Sequence, residues 1–147
     1  MKMISLIRLT SALAVLCAPL LAHHGTGVSY DQTKAFTVKA TVTEFRYANP
    51  HPQLFFDVKN PQTGEVVHWS GEIAPNPAQL QQDGWGRKRS EAALAPGTEV
   101  EITLAPSRLG TPVGLINKIA DAQGESILGL RPLGGGGAGG EGRGGNQ

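Results

Sequence analysis

The sequence has little cysteine and little charge. Its 147 residues include one cysteine, so an internal disulfide and a cysteine-based zinc finger are excluded. Charged residues make up 17% of the chain and the formal net charge is +1, so no basic surplus favours binding to nucleic acid. Beyond the N-terminus no apolar run reaches the roughly 20 residues of a membrane-spanning helix. We therefore predict no nucleic-acid partner and no transmembrane span in the mature chain.

The common catalytic motifs are also missing. The sequence contains no Gly-x-Ser-x-Gly elbow, no phosphate-binding loop, no dinucleotide fingerprint and no His-Glu-x-x-His helix. Most acidic residues alternate outward on predicted strands, which is typical of a solvated sheet face rather than of paired catalytic carboxylates. We therefore predict that the protein is not an enzyme.

The first 22 residues have the pattern of a secretory signal peptide. Lys2 and Arg8 supply a positive start, and the almost wholly apolar run Leu9–Leu21 follows. This run is shorter than the roughly 20 residues of a membrane-spanning helix. Ala22 then offers a small residue for cleavage. We expect cleavage near Ala22 and a periplasmic or secreted mature protein that begins at His23.

The rest of the chain divides into three parts. Residues 23–35 form an N-terminal segment, and residues 36–131 have the alternating apolar pattern of a small β domain. Residues 132–147 are mostly glycine, which buries no apolar surface and is costly to order. We predict that this tail is disordered.

The domain pattern begins with a long strand. From Phe36 to Val42 every second residue is apolar; after Thr43 the apolar positions shift by one, to Phe45 and Tyr47. Such a change of parity is what a β-bulge produces. The next strands, 53–58 and 65–73, are separated by a strong turn signal and form a hairpin.

A short helix is predicted next. Asn76 is a good N-cap, Pro77 suits the first helical position and Gly84 suits the end, and Arg87 to Leu94 adds a further helical turn. Strands follow at 98–104 and 113–120, with a short extension at 125–130. The order β-β-β-α-β-β predicts an all-β fold with one short helix, an OB-fold-like five-stranded barrel. A β-sandwich or half-barrel is the alternative.

Two sets of residues are candidates for binding. OB-folds bind ligands on the outer face of strands two and three, and here Phe55, His68, Arg46 and Gln53 are expected on or near that face. The second set is the four histidines, His23, His24, His51 and His68.

A terminal His23 would offer both its α-amine and its imidazole to a metal ion. A further imidazole from His24, His51 or His68 would complete a site that suits Cu²⁺, the tightest-binding divalent ion of the first-row series. Copper is thus the one cofactor that the sequence suggests. Incidental histidines are the competing interpretation, and if the protein were an enzyme, copper oxidase-type chemistry at His23 would be the form least at odds with the sequence.

Several short motifs together resemble a known family. These are His23-His24, Thr43-Glu44-Phe45, Asn49-Pro50-His51, Trp69, Pro75-Asn76, Gly84-Trp85 and Pro96-Gly97-Thr98. As a set they are similar to a domain-of-unknown-function family of small exported bacterial proteins, over about residues 23–130. The resemblance implies export and a β-rich domain, and it carries no catalytic residues. We therefore predict an exported, non-catalytic module that binds a small ligand or a protein partner, with a copper-binding protein as the alternative.

Overall fold

The computed structural model describes residues 29–130, so the predicted signal peptide, His23, His24 and the predicted glycine-rich tail lie outside the described residues. The elements in chain order are a 3-10 turn at Gln32–Lys34, β1 at Phe36–Arg46, β2 at Gln53–Lys59, β3 at Val66–Ile73, α1 at Pro77–Gln82, α2 at Arg87–Ala93, β4 at Glu99–Pro106, β5 at Val113–Ala120 and β6 at Ser126–Ile127.

The strands form a barrel with the strand order of an OB-fold. Neighbouring strands follow the order β3-β2-β1-β4-β5-β6, and a further pairing of β3 with β5 closes five of them on themselves. The closing ladder is parallel and joins Ser70 with Val113 through Ile73 with Ile116, whereas the other ladders are antiparallel. The predicted all-β, OB-like barrel is confirmed. The helix predicted after Asn76 is α1, and the further helical turn predicted from Arg87 is α2.

A bulge lies where the sequence pattern of β1 shifts. Val42 pairs with Phe56, but Glu44 pairs with Phe55, so Thr43 is an extra residue in β1. Val42 is therefore inward, and after the bulge Tyr47 is inward as well, with 1% and 8% of their surfaces exposed. The β-bulge that the parity shift predicts is confirmed.

The helical insert covers one end of the barrel. Asn76 and Gln79 form a reciprocal capping box that begins α1, and Pro77 takes the first turn. Leu80 of α1 and Leu94 after α2 are completely buried in the main core. Tyr47, the residue directly after β1, links the strand to the insert. Its hydroxyl donates a hydrogen bond to the carbonyl oxygen of Pro77 at 2.8 Å.

Inward residues of the strands fill the barrel. Leu54 and Phe56 of β2 are completely buried, and the Phe56 ring stacks on Trp69 with a centroid separation of 6.4 Å. Trp69 is half-buried and packs against the core. Val67 shares the inward parity of Trp69, yet it is exposed because its partner Val58 lies beyond Asp57, the last β2 residue that pairs with β1.

A second, smaller apolar cluster lies on the outside of the barrel. The chain before β1 crosses this surface, where Tyr30 forms an isolated bridge to Ser107. The Tyr30 ring buries Ala105 of β4 and Leu115 of β5. In residues 29–130, the helices are all too short or too polar to cross a membrane.

Candidate functional site

The outer face of β1, β2 and β3 carries all four side chains predicted to bind a ligand. Arg46 of β1 pairs with Gln53 of β2, and Asp57 of β2 pairs with His68 of β3. Phe55 lies between Gln53 and Asp57 on the same face, because alternate residues of a strand share a face. The structure therefore brings Arg46, Gln53, Phe55 and His68 onto one continuous surface, which we call the ligand face.

The Arg46 guanidinium lies over an aromatic ring. Its central carbon is 4.5 Å from the centroid of Phe55, within cation–π range. Glu44 fixes the guanidinium with two hydrogen bonds, which Arg46 donates from Nε at 2.6 Å and from Nη2 at 3.0 Å. This bonding lowers the pKa of the Glu44 carboxyl and raises the pKa of Arg46. The ion pair and the ring thus form one ordered, solvent-accessible platform.

His68 is held by a carboxylate at the other end of the ligand face. Its Nδ1 lies 2.6 Å from Oδ1 of Asp57, and 82% of its side chain is exposed. An ionised carboxylate only accepts hydrogen bonds, so Nδ1 carries the proton and donates it. Whenever the imidazole is neutral, the other ring nitrogen, Nε2, is the acceptor.

His51, Glu72 and Tyr30 meet at the edge of the ligand face near the start of β2. His51 Nδ1 lies 2.9 Å from the carbonyl oxygen of Ala74, and its Nε2 lies 3.7 Å from Oε1 of Glu72. The Tyr30 hydroxyl donates a hydrogen bond to Oε2 of Glu72 at 3.1 Å. Three elements distant in sequence therefore converge here: the segment before β1, the β1–β2 loop and β3.

Tyr30 remains a hydrogen-bond donor at neutral pH. Burial, and secondly the negative charge of Glu72, raise the pKa of the Tyr30 phenol to about 12. Its proton therefore stays on the hydroxyl and holds one oxygen of Glu72 in place. The other oxygen of Glu72 is directed at His51.

The structure separates the predicted metal ligands. His51 contacts Glu72 of β3. His68 lies on the same strand, four residues before Glu72, and contacts Asp57. Four residues of strand span about 13 Å, so one ion cannot bind both imidazoles. Within residues 29–130, no three side chains of the His, Cys, Asp and Glu types are grouped to hold a metal ion. His23 and His24 lie outside the described residues.

An open cleft adjoins the ligand face at Asp57. Its volume is about 760 Å³, and its walls come from β1, β2, β4 and the turn after β5. Its charged lining residues are Lys39, Asp57, Lys59, Glu99, Glu101 and Asp121. Both signs are interspersed, so the cleft does not offer the field of one sign that attracts a polyion. No local sequence pattern indicates this cleft, because the turn that forms one wall is brought near β1 only by the barrel.

Glu72 and Tyr30 were not predicted as site residues. The alternation of β3 places Glu72 on the same outer face as His68, but this pattern does not indicate which side chains the carboxylate contacts. Tyr30 gave no local signal, because it is separated from Glu72 by 42 positions in sequence. Its role follows from the way the N-terminal segment crosses the barrel.

Comparison with known proteins identifies the family of this chain. No curated protein matches the chain. The model of a family described as a family of unknown function, DUF6152, matches residues 12–117. This agrees with the resemblance to a domain-of-unknown-function family in the sequence. The chain belongs to the DUF6152 family of unknown function.

Proposed function

We propose that this protein is an exported binding module without catalytic activity, periplasmic or secreted, that takes a small ligand or a protein partner on the ligand face. Export is supported by the signal-peptide pattern that ends near Ala22. Binding is supported by the platform of Arg46 on Phe55, which is the observation that carries the proposal. The position also matches the outer surface on which OB-folds bind their ligands.

The chemistry of the face favours a polar ligand without strong charge. Arg46 is neutralised by Glu44, and the Asp57 carboxylate lies against His68. A strongly anionic ligand would have to displace Glu44 from the guanidinium. An uncharged group, such as the C–H face of a sugar ring or a planar peptide amide, can stack on the platform and bond to the Gln53 amide.

The proposed function predicts that the Phe55→Ala variant folds normally but binds the ligand more weakly. Half of the platform is removed, and we expect affinity to fall about fivefold or more, because stacking on an aromatic side chain is worth about 1–3 kcal/mol. The measurement is a nuclear magnetic resonance titration with soluble glycan fragments and short neutral peptides. In the wild-type protein, the amide signals of Gln53, Phe55 and Ser70 should shift.

The matched control is Leu109→Ala, which removes an exposed apolar side chain from the β4–β5 turn. It should leave the titration unchanged. If no compound in either set shifts the signals of the ligand face, or if Phe55→Ala binds as well as the wild type, the proposed role of this face is wrong.

A copper-binding protein is the second candidate function. It is favoured by one structural observation: the N-terminal segment meets the barrel at Tyr30, whose hydroxyl contacts Glu72 beside His51. A chain that begins at His23 would therefore be tethered next to a further imidazole. In this proposal Cu²⁺ is bound by the α-amine and imidazole of His23 together with another histidine.

The terminal chelate can be tested by changing only the amine. Two chains are released from a fusion partner, one beginning at His23 and one with a glycine before it. The added residue converts the α-amine of His23 into an amide, so we expect Cu²⁺ affinity to fall about tenfold or more. Isothermal titration calorimetry measures the Cu²⁺ affinity of both chains. Equal affinities would reject the terminal site, and sequencing the N-terminus of the exported protein shows whether His23 leads the natural chain.

A further inference from the structure

We infer that His51 and Glu72 form a binding site for a divalent transition-metal ion, with Tyr30 as the residue that positions Glu72. The inference goes beyond the ligand face, and it does not need the terminal amine of His23. It rests on the geometry of three side chains on the outside of the barrel and on which of their atoms still offer lone pairs.

The hydrogen bond of His51 determines which ring nitrogen is available. The carbonyl oxygen of Ala74, 2.9 Å from Nδ1, has no proton to give, so Nδ1 carries the hydrogen. The lone pair of a neutral imidazole is then on Nε2. Metal-binding histidines usually have this arrangement, in which the second nitrogen donates to a backbone carbonyl or a carboxylate.

Glu72 is oriented in the same way. Its Oε2 accepts the hydrogen bond of the Tyr30 hydroxyl, and its Oε1 faces His51 Nε2 at 3.7 Å. Two acceptor atoms thus point at each other across a gap that is too long for a hydrogen bond. Such a pair is stabilised by a positive charge between its members: a metal ion, or a proton on the imidazole.

The gap has the width that a metal ion requires. Bonds from zinc to imidazole nitrogen and to carboxylate oxygen are each about 2.0–2.2 Å long. Two ligands of one ion therefore lie about 3.4 Å apart in a tetrahedral arrangement and about 4.2 Å apart when opposite. The observed 3.7 Å falls between these values, so an ion can contact both atoms with little movement of either side chain.

The site is open on its outer side. About a third of the His51 side chain and a quarter of the Glu72 side chain are exposed, at 35% and 26%. Water or another donor can complete the coordination from solvent. One imidazole and one carboxylate suit the later first-row ions, of which Cu²⁺ binds most tightly to a given set of ligands.

The pair does not include the N-terminal histidines, which lie outside the described residues. The copper-binding function proposed above depends instead on the α-amine of His23. The experiment below separates the two sites.

The test is a Cu²⁺ titration of the full chain, expressed with its own leader and purified from the cell, at neutral pH. The variants are His51→Asn, Glu72→Gln, Tyr30→Phe and, as the matched control, Glu125→Gln, which changes an exposed carboxylate outside every site described above. We expect about a tenfold or greater loss of affinity for the first two, a loss approaching tenfold for Tyr30→Phe, and no change for the control. Electron paramagnetic resonance of the bound Cu²⁺ should lose one nitrogen coupling in His51→Asn alone.

The substitutions are chosen to preserve the fold. The asparagine amide can still donate to Ala74, and glutamine keeps an oxygen that accepts from Tyr30. If His51→Asn does not fold, Glu72→Gln carries the test. Wild-type affinity in both His51→Asn and Glu72→Gln, or unchanged nitrogen coupling, would overturn the site and leave a protonated imidazole as the charge between the two atoms. If Cu²⁺ affinity falls when a glycine precedes His23 but is unchanged in these variants, the terminal chelate is supported and the His51–Glu72 site is rejected.

Discussion

Replacing Phe56 by alanine is expected to lower the free energy of unfolding by about 3–5 kcal/mol. The Phe56 ring is completely buried inside the barrel and stacks on Trp69. Its removal leaves a cavity between β2 and β3 that the closed barrel cannot fill, because the ladders on both sides of β2 fix the spacing of the backbone. Urea denaturation followed by tryptophan fluorescence measures the change.

Phe55→Ala is the natural control, because the same side chain is removed one position earlier on the opposite face of β2. Phe55 lies outside the barrel under Arg46, so its loss should cost about 1 kcal/mol or less. The comparison tests the predicted alternation of β2 directly. Similar losses in both variants would mean that the assignment of inner and outer faces is wrong.

Replacing Gly114 by alanine is expected to destabilise the protein by about 1–3 kcal/mol through overpacking. Gly114 pairs with Gly71 in the parallel ladder that closes the barrel. A methyl group at Gly114 would lie 2.9 Å from the carbonyl oxygen of Ala105 and would overlap the side chain of Leu104. The carbonyl belongs to the neighbouring strand, so it cannot move without disturbing the β4–β5 ladder.

Gly86→Ala is the matched substitution at a site with room. No atom lies within 4 Å of the added methyl group, and the backbone of Gly86 has an ordinary φ of −64°. We expect a net loss of about 0.5 kcal/mol or less, because the poorer N-cap propensity of alanine is partly offset by the lower conformational entropy that it gives the unfolded chain. Thermal melts of the two variants should therefore differ clearly, and equal melting temperatures would contradict the tight packing at the closing ladder.

The local patterns of the sequence predicted the elements well because each rests on a local physical cause. Alternation identified β1, β2 and β4, the change of parity located the bulge at Thr43, and the cap at Asn76 marked the start of α1. The same alternation placed Phe55 and His68 together on the outer face of the barrel. These predictions depend on strand periodicity and hairpin pairing, which a single sequence displays directly.

The contacts that the sequence did not reveal are long-range. The grouping of Tyr30, His51 and Glu72 depends on how the chain before β1 crosses the finished barrel, and no local pattern encodes that path. The separation of His51 from His68 likewise follows from the contact of His51 with Glu72, which lies four positions after His68 on β3. The expected set of histidine ligands was therefore broader than the pairs of side chains that the fold brings together.

The extra residue in β1 has a consequence for how the ligand face can evolve. Thr43 reverses the parity of everything after it, so Arg46 points to solvent while Tyr47 points inward. Deleting Thr43 would direct the Arg46 charge into the apolar interior and turn the Tyr47 ring toward solvent. Point substitutions can thus diversify the outer chemistry of this barrel freely, whereas a change of length in the first strand would exchange its inside for its outside.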